Sequence, residues 1–335
     1  MIARAWMILF MLALVLAYGA FEIAAFLIAP ASTAPAERIV DVREGMTLTE
    51  VSALLHREQV ITNSLYFRIV SRWTHTDKKL QAGEFALNTA MRPLEVLDIL
   101  TQGRNQVVYP VTIPEGVTLR QIGQILKAVG QIDEAGFAAL VNNPTLVEEN
   151  GGVPLEGYLF PATYTFTKGT KPIEIVQRML AQFRAVYDDT FRRRADAIGF
   201  TQHEVVTLAS IIEKETTQPS ERTLVSAVFH NRLKQKMRLQ SDPTVIFGLS
   251  HFDGNLTRTD LETPTPYNTY LIDGLPPGPI GNPGRESLQA ALYPADVDDL
   301  FFVARGDGTH IFSRTLAEHN KAVAAYQLRR PAVER

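Results

Sequence analysis

A chain of 335 residues with 33 Lys plus Arg against 36 Asp plus Glu carries a net charge of -3, without the basic excess that nucleic-acid binding requires. Its 46% hydrophobic and 21% charged content is that of a globular protein, which excludes wholesale disorder and fibrous classes, and the length leaves room for roughly two domains. The absence of cysteine removes disulfides, thiolate nucleophiles and thiolate metal sites together.

Ala5 to Phe21 runs without a charge, and after Glu22 the apolar stretch resumes from Ile23 to Ala29. That is long enough for the ~20 residues of a bilayer-crossing helix. We read residues 5–29 as a transmembrane anchor behind a short tail, residues 1–4, with Glu22 at the interface. A cleaved signal peptide is the alternative, since Ala29-Pro30-Ala31 and Ala34-Pro35-Ala36 are small, but the stretch exceeds the ~7 to 15 apolar residues of a signal core. Arg4 precedes the span and Arg38 and Arg43 follow it, so charge alone leaves the orientation open. A large domain behind a short tail is the arrangement of an exported one.

Residues 30–37, PASTAPAE, read as a Pro/Ala linker. Beyond it the sequence repeats weakly at an offset of 71: Glu44-Gly45-Met46-Thr47-Leu48 returns as Glu115-Gly116-Val117-Thr118-Leu119. Each copy predicts a short strand (Ile39 to Val42; Val107 to Ile113), a glycine turn, and a helix opened by a capping box, Thr47 with Glu50 and Thr118 with Gln121. In the first copy a strand-like Glu84 to Leu87 and a helical Pro93 to Leu100 follow. Residues 38–106 are thus a small βααβ module, either for binding or as a spacer that holds residues 107–330 away from a membrane; residues 331–335 form a tail.

The helix predicted from about Thr201 to Thr216 opens with a third capping box, Thr201 with Glu204. It carries Val205, Leu208, Ala209, Ile211 and Ile212 as an apolar stripe and ends in Glu213-Lys214-Glu215. Glu215 extends the ridge of Leu208, Ile211 and Ile212, whereas Glu213 lies on the flank. A carboxyl that is partly desolvated at the negative end of a helix has a raised pKa and can serve as a general acid. The alternative is two surface glutamates paired around Lys214.

Downstream, Gln240-Ser241-Asp242-Pro243-Thr244 forms a polar turn after the helical Pro219 to Lys236, and Tyr267-Asn268-Thr269-Tyr270 lies in a Pro-flanked loop. Gly274 to Gly284, GLPPGPIGNPG, is rigid and nearly free of side chains. Such loops suit an extended polar ligand such as a glycan, because aromatic faces pack on sugar rings and amides bind hydroxyls; equally, they could cover a sheet edge. Glu156-Gly157-Tyr158-Leu159-Phe160-Pro161 adds an acid among aromatics, which core packing would also explain. His203-Glu204-Val205-Val206-Thr207 has threonine where a zinc helix needs its second histidine. The seven histidines show no metal-ligand spacing and read as structural.

The strings from Ala209 to Thr216, from Arg238 to Val245, from Thr265 to Tyr270 and from Gly274 to Gly278 resemble the endolytic murein transglycosylases, the MltG or YceG-like family. The resemblance covers nearly the whole chain. It implies a LysM-like module, location in the bacterial cytoplasmic membrane with the catalytic domain outside, and cleavage within nascent peptidoglycan strands. Glu215 falls on the family's catalytic acid. One departure is visible: an acid is usual after the Phe-Pro pair, and Ala162 stands here. By this resemblance Glu215 protonates the MurNAc–GlcNAc oxygen, then takes the proton of the muramic 6-hydroxyl as a 1,6-anhydro ring forms, with no metal or organic cofactor. Gln240, Asp242, Tyr267 and Asn268 are expected to hold the sugar, and peptidoglycan synthases are partners by family only. A non-catalytic peptidoglycan-binding scaffold and a membrane-anchored muramidase are the competing functions. The fold class expected is α+β, with Leu300 to Val303 and Thr309 to Phe312 as a hairpin about Gly306-Asp307-Gly308.

Overall fold

The computed structural model describes residues 2–327; the expected tail, 331–335, lies outside them. In chain order the elements are α1 (Ile2–Ile28), β1 (Glu37–Val42), α2 (Leu48–Arg57), α3 (Ser64–Trp73), β2 (Gly83–Asn88), α4 (Pro93–Gln102), β3 (Val108–Thr112), α5 (Leu119–Ala128), α6 (Glu134–Val141) and α7 (Pro144–Glu149). There follow β4 (Thr163–Thr167), α8 (Pro172–Val186), α9 (Asp189–Ile198), α10 (Gln202–Glu215), α11 (Arg222–Lys234), α12 (Asp242–Gly248), α13 (Arg258–Glu262), α14 (Arg285–Leu292), β5 (Phe301–Ala304), β6 (His310–Ser313) and α15 (Leu316–Tyr326). Three two-stranded sheets, β1 with β2, β3 with β4 and β5 with β6, make the fold α+β.

The chain divides into two compact units. One runs through Pro110 and takes back Thr165–Thr170; the other holds Val111–Tyr164 and the chain from Lys171 onward. The sequence had placed the division at 106, without the returning segment.

In the first unit, α1 is long and apolar enough to cross a membrane over Trp6–Ile28. Trp6, Phe10 and Leu14 are exposed, and the helix packs at its C-terminal end, where Phe26 is buried edge-on against Tyr66 at 5.8 Å. Residues 30–37 are not a free linker. The Ser32 amide donates to the Thr89 carbonyl (2.9 Å), the Thr89 amide donates to the Ala36 carbonyl (3.0 Å), and the Thr89 hydroxyl donates to the Ala34 carbonyl (3.0 Å). β1 and β2 are antiparallel, with Val40 opposite Phe85, and Val51, Leu55, Phe67 and Val70 of α2 and α3 bury against them. The order is strand, helix, helix, strand, then α4; the second helix between the strands is α3, whereas the helix expected over Pro93 to Leu100 is α4 and follows β2.

The second copy of the repeat begins with β3 and α5, whose capping box is formed as the sequence predicts: Gln121 Oε1 accepts from the Thr118 amide at 2.9 Å. It too is closed by a strand, since β4 returns to pair with β3 after α6 and α7. That closure is hidden in the sequence, because the pairing spans some fifty residues with little apolar alternation.

α10 is buried on every side from Val205 to Ile212, rather than along one stripe. It packs against α9, α11, α12 and α14, and a helix apolar all round belongs in the centre of a core. The Gly/Pro-rich segment 274–284 runs between α10 and the 115–118 turn. The Ile280 amide donates to Ser210 Oγ (3.0 Å), and Asn282 exchanges backbone bonds with Gly116 and Val117 (2.7 and 2.9 Å). Side chains are absent there because the approach leaves no room: a Cβ on Gly281 would lie 2.6 Å from the Gly116 carbonyl oxygen.

Gly157 faces the same segment with φ +89, and a Cβ there would sit 2.5 Å from Pro279 and 2.9 Å from Val206. Gly157→Ala is expected to lose about 2–3 kcal/mol through combined backbone strain and overpacking, read as a fall of several degrees in Tm. Gly151→Ala, which meets nothing within 4 Å, bears the φ penalty alone and is expected to lose less.

Candidate active site

Successive side chains on a helix point about 100° apart, so the three charged residues ending α10 face three surroundings. Glu213 turns into protein: its Oε2 accepts from the Gly284 amide (2.8 Å) and its Oε1 lies 3.6 Å from the Arg222 guanidinium. Arg222 also pairs with Glu286 and lies 3.9 Å from Glu115, whose carboxyl is pushed up by burial and by the Glu213 charge. Lys214 is exposed and lines one cavity, whereas Glu215 lines another. Beyond Glu215 the chain turns extended at Thr216, which ends the helix.

The Glu215 cavity has a volume of about 410 Å³ and is walled by Arg232, Gln240, Asp242, Tyr270, the β5–β6 hairpin and α15. Burial raises the Glu215 pKa to about 7. The Ser241 hydroxyl donates to Glu215 Oε1 and favours the ionised form, while the Asp242 charge opposes it and Arg232 again favours it. The result is a carboxyl close to half-protonated at neutral pH, with a polar hydroxyl beside it.

Two segments are knitted together to hold this arrangement. The Ser241 amide donates to Thr269 Oγ1 (2.9 Å), the Gln240 amide to the Thr269 carbonyl (3.1 Å), and the Thr244 and Thr269 hydroxyls meet at 2.7 Å. Tyr270 donates its hydroxyl to Asp242 Oδ1 at 2.6 Å, and burial together with that carboxylate pushes the phenol pKa up. Gln240 is exposed at the cavity edge with φ +49, a left-handed conformation uncommon for a residue with a Cβ, such as functional sites hold under strain. Arg232 is buried with its Nε donating to the Leu300 carbonyl (2.7 Å) and its Nη1 to the Leu239 carbonyl (2.8 Å), and burial lowers its pKa.

On the other side of α12 lies a larger cavity of about 870 Å³, lined by Arg120, Glu156, Lys214, Phe247 and His251 among others. The two cavities are divided by adjacent residues: Lys214 from Glu215, and Pro243 from Asp242. Burial also raises the Glu156 pKa to about 7, opposed by the Leu119 amide it accepts from and by Lys214. Asn282 Nδ2 donates to the same carboxyl at 3.2 Å, so Glu156 is held by the N-terminus of α5 and a buried amide.

Of the four residues expected to hold a sugar, Gln240 and Asp242 join Glu215 around its cavity. Tyr267 does not; it packs edge-on against Phe247, a wall of the second cavity, at 4.8 Å. Asn268 is fully buried, with Nδ2 donating to the Leu261 and Thr263 carbonyls (3.0 and 2.8 Å) and Oδ1 accepting from the Tyr270 amide (3.0 Å). Its amide is committed to shaping the loop. Ala162 contributes its backbone carbonyl to the Ile113 amide (2.9 Å). Among the described residues no group of three or more His, Asp and Glu could hold a metal.

Ser241 and Tyr270 lie in segments that the sequence marks, without a role of their own there, and Arg232 lies outside them. Arg232 had a signal. It stands three, four and seven positions after Phe229, Val228 and Val225, all buried, so it extends an apolar ridge as Glu215 does.

The sequence model of the YceG-like family matches residues 40–325. The endolytic murein transglycosylase of Bacillus subtilis (strain 168) is 33% identical over 304 residues, spanning 86% of this chain and 84% of its own length. That of Streptococcus pneumoniae (strain ATCC BAA-255 / R6) is 29% identical over 327 residues, spanning 86% of this chain and 58% of its own length. A yceG-like protein from Listeria monocytogenes with a solved structure matches at a TM-score of 0.60 and 34% identity, over 86% of this chain and 99% of that one.

The raised Glu215 pKa carries a consequence for stability. An acid that binds its proton more tightly when folded stabilises the fold fully below its unfolded pKa of about 4.5, and this contribution is lost as pH rises to about 7. Thermal unfolding of Glu215→Gln beside the unaltered chain is therefore expected to show a Tm difference that shifts in favour of the variant between those pH values and levels off above them. A difference independent of pH would mean that the carboxyl titrates normally.

Proposed function

The chain belongs to the YceG-like family, and on that premise we propose that it is an endolytic peptidoglycan lytic transglycosylase with Glu215 as its single acid and base. The observation that carries this reading is a carboxyl with a pKa raised to about 7 at the wall of a polar cavity. Protonated Glu215 donates to the glycosidic oxygen between N-acetylmuramic acid and N-acetylglucosamine, and positive charge develops at the muramic anomeric carbon. The resulting carboxylate takes the proton of the muramic 6-hydroxyl as that oxygen closes on the same carbon, giving the 1,6-anhydro end and restoring the acid. The nucleophile is part of the substrate, so proximity replaces the positioned water or second carboxylate of a hydrolase.

Gln240 and Asp242 hold the sugar over Glu215, with Tyr270 fixing the Asp242 carboxylate. An enzyme that cuts inside a strand must hold it on both sides of the scissile bond. The second cavity, with Phe247 backed by Tyr267 and with Lys214 next to the acid, takes the continuation. The βααβ module of residues 38–106 is LysM-like and engages glycan or spaces the catalytic domain, residues 107–330. α1 anchors the chain in the bacterial cytoplasmic membrane as a single pass, with the folded part outside, where cleavage of nascent strands ends their elongation beside the synthases that make them.

Mass spectrometry of muropeptides released from uncrosslinked glycan tests the reading. The unaltered chain is expected to give anhydromuramic ends, Glu215→Gln to lose at least about a hundredfold in rate with its fold intact, and Glu213→Gln to lose activity in part at most. Reducing ends would make the protein a muramidase, and glycan binding without cleavage a scaffold.

The pH profile gives a second check. Activity requires the protonated acid, so the rate is expected to fall above about pH 7. Ser241→Ala removes a donor that favours the carboxylate, and the alkaline limb is expected to move to higher pH.

A further inference from the structure

His310 opens β6 and lines the cavity into which Glu215 faces. Its surroundings differ from those of His203 and His230. His203 has both ring nitrogens engaged, Nδ1 with the Tyr158 hydroxyl and Nε2 with the Pro277 carbonyl, each at 2.9 Å. His230 gives its Nε2 to the Ala291 carbonyl at 2.8 Å. His310 is instead held from behind by one buried carboxylate. Glu221 Oε1 accepts from the His310 backbone amide (2.9 Å) and Glu221 Oε2 from Nδ1 (2.7 Å). The Thr216 hydroxyl, on the residue after the acid, donates to the same Oε2 at 3.4 Å. Phe302 stands edge-on to the imidazole at 5.5 Å and fixes its plane.

A carboxylate can only accept, so the proton of the neutral ring sits on Nδ1 and Nε2 presents a lone pair. Among the described residues Nε2 has no protein partner. A carboxylate that orients an imidazole and fixes its tautomer is a device for presenting the far nitrogen to something else. The other strong acceptor on the wall, Asp242, already takes the Tyr270 hydroxyl.

We propose that His310, oriented by Glu221, is a substrate-contacting residue whose Nε2 accepts a hydrogen bond from a hydroxyl of the sugar bound over Glu215. The assignment rests on the reading of this cavity as the glycan site. It gives the chain a second point of grip, carried by a different element from the acid and braced to it through Thr216.

Two substitutions separate contact from scaffolding. In His310→Asn the short amide stays near the Nδ1 position, so the tie to Glu221 is kept and the far acceptor is lost. In His310→Gln the longer side chain returns an amide oxygen to the Nε2 position. With the full chain in detergent, His310→Asn is expected to lower kcat/KM roughly tenfold to a hundredfold at an unchanged Tm, and His310→Gln to recover part of the loss. Binding of uncrosslinked glycan is measured in parallel on the Glu215→Gln background, where adding His310→Asn is expected to weaken affinity about fivefold or more. Unchanged turnover and affinity in His310→Asn would overturn the assignment. So would equal losses in both variants that track a lowered Tm, because His310 would then only pin the hairpin to Glu221. Should the unaltered chain leave glycan uncut, the catalytic reading fails, and the binding comparison still decides the contact.

Discussion

The structure depends on keeping one carboxyl out of water while leaving it reachable. Glu215 is carried at the end of a helix buried on every face from Val205 to Ile212, so its position is fixed by the core of its unit and not by a surface loop. The acid-and-base role proposed for Glu215 needs this compromise: burial alone would hold the proton too tightly for return transfer, and a solvated carboxylate would have none to give. The Ser241 hydroxyl and the Arg232 charge pull the pKa down while burial and Asp242 push it up, leaving it near neutrality. That balance requires Ser241 within hydrogen-bonding reach, which explains why the 240–244 turn and the 268–270 loop are tied by Thr244 and Thr269.

The same helix end shows how identical side chains acquire different work. Glu213 and Glu215 are two positions apart, yet Glu213 is occupied by the Gly284 amide and lies beside Arg222, which Glu286 and Glu115 also approach. That cluster ties the Gly/Pro-rich segment to α10. Gly281 and Gly284 lack side chains because the segment lies between a helix and a turn, where the Gly116 carbonyl and the Glu115 carboxyl leave no space for a Cβ. A composition that reads as a ligand loop in the sequence is a strut in the structure, with Asn282 as its buried joint to Val117, Leu159 and Glu156.

Local structure is legible in the sequence. All three capping boxes form, at Thr47, Thr118 and Thr201, because each is settled within four residues of chain. The β5–β6 hairpin and the helix ending in Glu215 follow from the same short-range chemistry. What stayed hidden is pairing across distance. Ser241 reaches Glu215 over 26 positions and Tyr270 reaches Asp242 over 28, and nothing in either string marks the partner. The amide of Asn268 suits a sugar, but the tight loop leaves carbonyls of Leu261 and Thr263 that need a donor, and that need takes its Nδ2. His310 read as structural for want of a nearby ligand, since Glu221 stands 89 positions away.

Among the described residues two carboxyls line the Glu215 cavity, Glu215 and Asp242, and the fold holds them differently. Asp242 accepts the Tyr270 hydroxyl; Glu221, behind the wall, accepts twice from His310. Glu156 has a pKa raised as far as that of Glu215, yet the α5 N-terminus and Asn282 hold it as an acceptor at the second cavity. A raised pKa therefore does not by itself mark the acid. The surroundings distinguish them: Glu215 meets the Ser241 hydroxyl at the wall of a cavity, whereas Asp242 takes a phenol and Glu156 takes N–H groups. The reaction proposed for this site has its nucleophile built into the substrate and needs only one such group, which leaves Glu156 and Glu221 to hold the protein's own donors in place.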